Sequence, residues 1–155
     1  MIDTALSMAS ANRLRRICKM DSDVMKSALK GCELLEGLDE GQMGLLIMRA
    51  NSREFSAGET VYERGEESGG TFALIGSGRI NVVAKDGFVL NELGVGEIIG
   101  EVGVISQQDR RTVTITAIEP TEILEWHIQD IEEKFPEVLK RLKDLAWKRI
   151  KYWNE

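Results

Sequence analysis

Histidine is almost missing from this sequence, with His127 the only one in 155 residues. Histidine-based metal centres and His-containing nucleophilic triads therefore lack parts. His127 itself reads as a structural residue at the end of a strand. Cysteine is equally scarce. Cys18 and Cys32 fall in helical surroundings, at neither a metal-ligand nor a disulfide spacing. Two cysteines and no readable export signal point to a reducing, cytoplasmic setting. No apolar run approaches the roughly 20 residues needed to span a bilayer, so no membrane segment is expected. Positive charge is depleted in the middle of the chain. Residues 51–133 hold six Lys/Arg against sixteen Asp/Glu, within a net charge of −6. That balance argues against non-specific nucleic-acid binding. Residues 134–155 carry a net +4. This basic end reads as a solvated helix face, with a contact surface as the alternative.

What is present describes one globular domain with short extensions. A 43% hydrophobic, 30% charged composition can bury a sizeable core. Between Asn12 and Leu29 the apolar residues recur at helical spacing, interrupted by Asp21-Ser22-Asp23. This N-terminal extension, residues 1–33, is either a packing arm or a surface for a protein effector or a second copy. Asp39 predicts an N-cap for a helix over 40–50, with Met43, Leu46, Ile47 and Ala50 on one face. From Arg53 the period changes from helical to two. Short strands separated by glycine turns follow, among them a buried Thr71–Ile75 run and a Lys85-Asp86-Gly87 hairpin turn. Thr112 to Ile118 alternates, and Glu122 to Ile128 returns. The pattern predicts a mainly β fold with flanking α: an antiparallel double-sheet jelly-roll β-barrel, N-terminal helices before it and C-terminal helices after it. Gln129 to Phe135 predicts a short helix stopped by Pro136, which then suits the first turn of a last helix. Val138, Leu139, Leu142, Leu145, Ala146, Arg149 and Ile150 mark one face of that helix. The second unit therefore runs over 34–155.

One stretch, Ile98 to Thr114, carries the chemistry. Gly100 and Gly103 bracket Glu101 and Val102, so the backbone there can turn sharply or approach a ligand closely. The amides of Val102, Gly103 and Val104 can start a short helix, and such amides attract anions. Ten positions after Glu101, Arg111 opens the next expected strand, where a guanidinium can return to the same anion. An acceptor, several backbone donors and a fixed cation in one loop suit a small molecule bearing both a hydroxyl and a phosphate. Arg110 and Arg111 supply two of the six cations in an acidic region, although an isolated Arg-Arg pair is usually solvated.

Gly100-Glu101, Arg111-Thr112 and Ala117 resemble the phosphate-binding cassette of cyclic-nucleotide-binding domains. That family includes the catabolite activator protein, cyclic-nucleotide-gated channels and kinase regulatory domains. The series Phe55, Gly58-Glu59, Tyr62, Gly65-Glu66 resembles the family's first strands, and the likeness spans roughly Leu35 to Leu142. It implies a ligand site at Gly100, Glu101, Val102, Gly103, Arg111, Thr112 and Val113. Glu101 would accept the ribose 2′-hydroxyl proton and Arg111 would neutralise the cyclic phosphate. Thr112 would meet the phosphate or a guanine amino group. The last helix would close over the base, with Trp147, Ile150 and Trp153 as candidate lid residues or, alternatively, packing residues. Two positions depart from the family pattern. Gly103 stands where many members have Ala, which loosens the loop. Arg110 stands where many have Pro, which removes a backbone constraint.

The expectation is a stand-alone cAMP or cGMP receptor domain, a sensor with no catalytic or DNA-binding output, no metal and no cofactor beyond its ligand. The expected partners are the nucleotide and a protein effector met through the helices, with self-association as an alternative. The competing reading is a jelly-roll interaction module that keeps the fold and binds no nucleotide. An enzyme ranks last, because no readable pattern sets a general base beside a nucleophile.

Overall fold

The Thr71–Ile75 run is apolar without alternation because both faces of its strand are covered. In the computed structural model, which describes residues 27–105 and 109–153 (side chains to 151), eight strands form two sheets. They are β1 (Asn51–Phe55), β2 (Thr60–Tyr62), β3 (Thr71–Ser77), β4 (Ile80–Val83), β5 (Val89–Leu93), β6 (Ile98–Ile99), β7 (Thr114–Ala117) and β8 (Thr121–His127). One sheet has the order β1-β8-β3-β6 and the other β2-β7-β4-β5, and neighbouring strands pair antiparallel. This is the expected double-sheet jelly roll. The helices are α1 (Glu40–Arg49), α2 (Glu101–Ile105), α3 (Ile128–Lys134) and α4 (Pro136–Trp153), with a 3₁₀ turn at Glu33–Leu35.

Strand β3 divides two apolar clusters by its period of two. Ala73 and Ile75 point between the sheets, with Val61, Tyr62, Ile80, Val82, Ile99, Ile115 and Ile123. Phe72 and Leu74 point the other way, into a cluster with Leu46, Trp126, Ile131, Phe135 and Leu142. Helices α1, α3 and α4 supply the apolar faces that cover this side. The Trp126 indole N–H donates to the Leu46 carbonyl at 2.8 Å, which pins α1 to the sheet. Residues 27–30 are helical, and Ala28, Leu29 and Cys32 join the same cluster. Most of the 1–33 extension, Cys18 included, lies outside the described residues. Burial pushes the Cys32 thiol up from its ordinary range.

Local signals act where expected. Asp39 accepts from the Gln42 amide at 2.8 Å and the Gln42 side chain returns to the Asp39 amide at 3.1 Å, a complete capping box. His127 ends β8, and its Nδ1 accepts from the Gln129 amide to cap α3. Among the described residues, no helix is long and apolar enough to cross a membrane.

Candidate functional site

The short strand β6 pairs with β3 through Ala73–Ile99 and Leu74–Ile98, so the sheet delivers the chain directly into the Gly100 segment. Gly100 takes φ +79°, a conformation that side chains disfavour. A Cβ there would also lie 2.8 Å from Arg111 Nη1 and 2.9 Å from Tyr62 Cε2. Glycine is thus required twice, by the turn and by the close approach. Helix α2 begins at once with Glu101, whose side chain is buried. At Gly103 a Cβ would meet the Arg110 carbonyl at 3.1 Å and Arg111 Cδ at 3.3 Å. Crowding by the arginine pair, rather than loop freedom alone, accounts for the missing methyl.

The sequence placed Arg111 at the start of a strand, but β7 begins three residues later. The reason is a competing partner. Arg111 and its neighbours pair with the loop after β2. The Gly65 amide donates to the Arg111 carbonyl and the Arg111 amide to the Glu66 carbonyl, both at 2.9 Å. Glu67 and Arg110 form an isolated bridge, and the Ser68 amide donates to the Asp109 carbonyl. Arg110 donates its Nη1 to the Gly65 carbonyl at 2.8 Å and remains exposed.

The two arginines therefore differ, since Arg111 is only 5% exposed. Its Nη1 donates to the Thr71 and Gly100 carbonyls at 2.7 and 3.0 Å. Its Nη2 donates to the Ser68 carbonyl and Thr71 Oγ1 at 2.8 and 2.9 Å. The guanidinium also stacks over the Tyr62 ring, 3.7 Å from the centroid. Burial draws its pKa below the usual arginine value, and the nearby Tyr62 and Glu125 oppose that.

Burial pushes the Glu101 carboxyl up, against the pull of one cation from the last helix. Arg149 donates from Nη1 to Glu101 Oε1 at 2.7 Å and to the Ile98 carbonyl. This pair links α2 to α4. In the sequence Arg149 stands out only as part of an apolar helix face. Its signal was the anomaly itself, a cation continuing the apolar stripe of Leu142, Leu145 and Ala146.

All seven expected ligand residues, Gly100 to Gly103 and Arg111 to Val113, line one cavity, together with Tyr62 and Ile115. Its volume is only ≈ 10 Å³, room for about one water molecule. Two polar atoms buried on its lining residues, Glu101 Oε2 and Arg111 Nε, have no hydrogen-bond partner among the described residues. Of the lid candidates, Trp147 and Ile150 are not among its lining residues. Trp147 is 63% exposed, Ile150 is half-buried, and the Trp153 side chain lies outside the described residues. No group of three or more His, Cys, Asp or Glu side chains among the described residues could hold a metal.

A family model described as the cyclic nucleotide-binding domain matches residues 52–137. A Mycobacterium tuberculosis protein of the NTE family is 29% identical over 92 residues, 59% of this chain and 16% of that protein. A cGMP-dependent protein kinase of Toxoplasma gondii is 29% identical over 122 residues, 79% of this chain and 12% of the kinase. The chain thus matches less than a fifth of the length of these relatives. Among solved structures, the regulatory subunit of a cAMP-independent protein kinase A from Trypanosoma brucei superposes with a TM-score of 0.70. It is 23% identical, and the match covers 87% of this chain and 47% of that one. The regulatory domain of Toxoplasma gondii protein kinase A, crystallised with cAMP, gives 0.71 at 18% identity, over 87% and 51%. Both structures share the fold.

Proposed function

The chain belongs to the cyclic nucleotide-binding domain family, and on that premise we propose that it is a receptor for cAMP or cGMP that does no chemistry on its ligand. The observation that carries this reading is the pair of orphan polar atoms on residues that line one small cavity. A buried acceptor, Glu101 Oε2, and a buried donor, Arg111 Nε, each lack a hydrogen-bond partner among the described residues. Leaving such groups unsatisfied costs about 1–3 kcal/mol apiece, and more for charged groups. A ribose hydroxyl satisfies the first and a phosphate oxygen the second. The first-turn amides of α2 add donors beside the phosphate, and Thr112 offers a hydroxyl.

Binding on this reading is coupled to α4. A hydroxyl on Glu101 acts on the same carboxylate that Arg149 holds, so occupancy changes the anchor of the last helix. That signals to an effector only by the difference in ligand affinity between the two helix positions. A stand-alone sensor in the cytoplasm, meeting a protein effector through its helices, is the setting we infer.

Calorimetric titration of stripped protein with cAMP and then cGMP tests the reading. Saturable one-to-one binding is expected, and the ratio of the two constants reports base preference. Arg111→Ala should weaken binding about ten- to a hundredfold or more, as losing a charge-assisted contact requires. Unchanged affinity in that variant would overturn the site assignment.

A second reading has its own support. The cavity is far smaller than the roughly 300 Å³ that small-ligand pockets start from, and both terminal nitrogens of Arg111 already serve two acceptors each. A module that keeps the fold and binds no nucleotide has this appearance. Added nucleotide would then leave the thermal midpoint unmoved, whereas a ligand of the folded state must raise it.

A further inference from the structure

Tyr62 lines the same cavity as Gly100 and Arg111, and reaches it from the other sheet than β6. Strand β2 pairs with β7 through a register shift between Thr60 and Tyr62. A bulge of this kind re-aims a side chain. Here Val61 and Tyr62, consecutive in sequence, are both buried. The Tyr62 hydroxyl donates to Glu125 Oε2 at 2.6 Å, and Arg53 Nη1 donates to the same oxygen at 3.2 Å. The ring is therefore tethered at its far end. Its face carries the Arg111 guanidinium, and its edge lies against Gly100.

Resting on the receptor reading above, we infer that Tyr62 is an affinity-setting gate in this site. Its ring occupies the space beside Arg111 and keeps the guanidinium on an aromatic face and on backbone carbonyls. An arriving phosphate has to draw Arg111 off that face and displace the ring edge. A ring that releases the cation only against this contact weakens ligand binding by about the strength of a desolvated cation–π pair, roughly thirtyfold. The tether through Glu125 and Arg53 stops the ring from tilting aside.

Cyclic-nucleotide titrations of four folded proteins test this: wild type, Tyr62→Leu, Tyr62→Phe, and Tyr62→Leu combined with Arg111→Ala. Leucine removes the ring and its face while retaining an apolar filler. It should tighten cAMP or cGMP binding about ten- to thirtyfold, and the added Arg111→Ala should abolish the gain. Phenylalanine keeps the ring and cuts the tether, and should tighten binding about threefold. Binding by Tyr62→Leu where wild type shows none would support the gate most directly. A folded Tyr62→Leu protein with equal or weaker affinity than a wild type that does bind would overturn the gate and leave the receptor reading standing. Should Tyr62→Leu fail to fold, a Tyr62→Phe protein with no gain would overturn it alone. If all four are folded and none binds either nucleotide, the receptor reading falls and the gate with it.

Discussion

Glu101 and Arg111 line the same cavity, are both buried, and are both ionisable, yet their surroundings differ in kind. Glu101 faces a cation on another element, Arg149 of α4, at 2.7 Å. Arg111 makes no ion pair among the described residues. Its terminal nitrogens meet neutral oxygens from the barrel, and its face meets Tyr62. A charge matched by an opposite charge depends on that one partner. A charge matched by several dipoles loses little when one of them shifts. The acid end of the site is thus coupled to a helix, whereas the basic end is held within the barrel by backbone carbonyls, Thr71 Oγ1 and the Tyr62 ring. On the proposed receptor reading, the carboxylate end is the part of the site joined to the last helix.

The largest effect that bears on this contrast should come from Arg149→Ala. Removing one partner of a buried pair typically costs about 3–5 kcal/mol. Denaturant unfolding should register that loss, and Arg149→Met with Glu101→Gln should recover most of it. A cost below about 1 kcal/mol would mean that Glu101 does not depend on α4. Gly100→Ala should follow at about 3 kcal/mol, combining the positive φ with contacts on Arg111 and Tyr62. Gly103→Ala should cost about 1 kcal/mol by the same assay, since its contacts are looser. If the two glycine variants are equal, the basic end is softer than its close contacts imply.

A third effect is a pH slope. Burial raises the folded-state pKa of Glu101, so the folded protein holds this proton more tightly than the unfolded chain does. The group's contribution to stability is full below the unfolded carboxylate pKa and falls as pH rises through the folded one. Wild type should therefore lose stability relative to Glu101→Gln as pH rises from the ordinary carboxylate range. A parallel pair of stability–pH curves would show Arg149 to cancel burial completely. The smallest effect belongs to a distant control. Asp39→Ala removes the α1 capping box and should cost about 1 kcal/mol with no change in nucleotide affinity. A change in affinity would extend the coupled region to α1.

Much of this architecture was legible in the chain. The change from helical period to alternation at Arg53, the hairpin glycines and Pro136 placed most elements within a few residues. Asp39 was identifiable as a cap because capping is decided within four residues. The cassette residues stood out because Gly100, Glu101 and Arg111 are individually unusual in an acidic, glycine-punctuated region. Arg149, Tyr62, Ser68 and Thr71 escaped notice as site residues. Their partners lie tens of positions away, and no local period reports a contact made by chain crossing.

Local chemistry alone therefore determined where this protein turns, which stretches are strands, and which loop can present an acid, amides and a cation together. Those features depend on backbone sterics and side-chain alternation, which act over a few residues. The tertiary structure decided what those groups face. The 1-8-3-6 strand order and the packing of α4 on α2 brought Arg149 to Glu101, and a bulge in β2 turned Tyr62 under Arg111. Burial then set the charge balance of the site, because desolvation depends on everything that closes around a group and not on its neighbours in the chain.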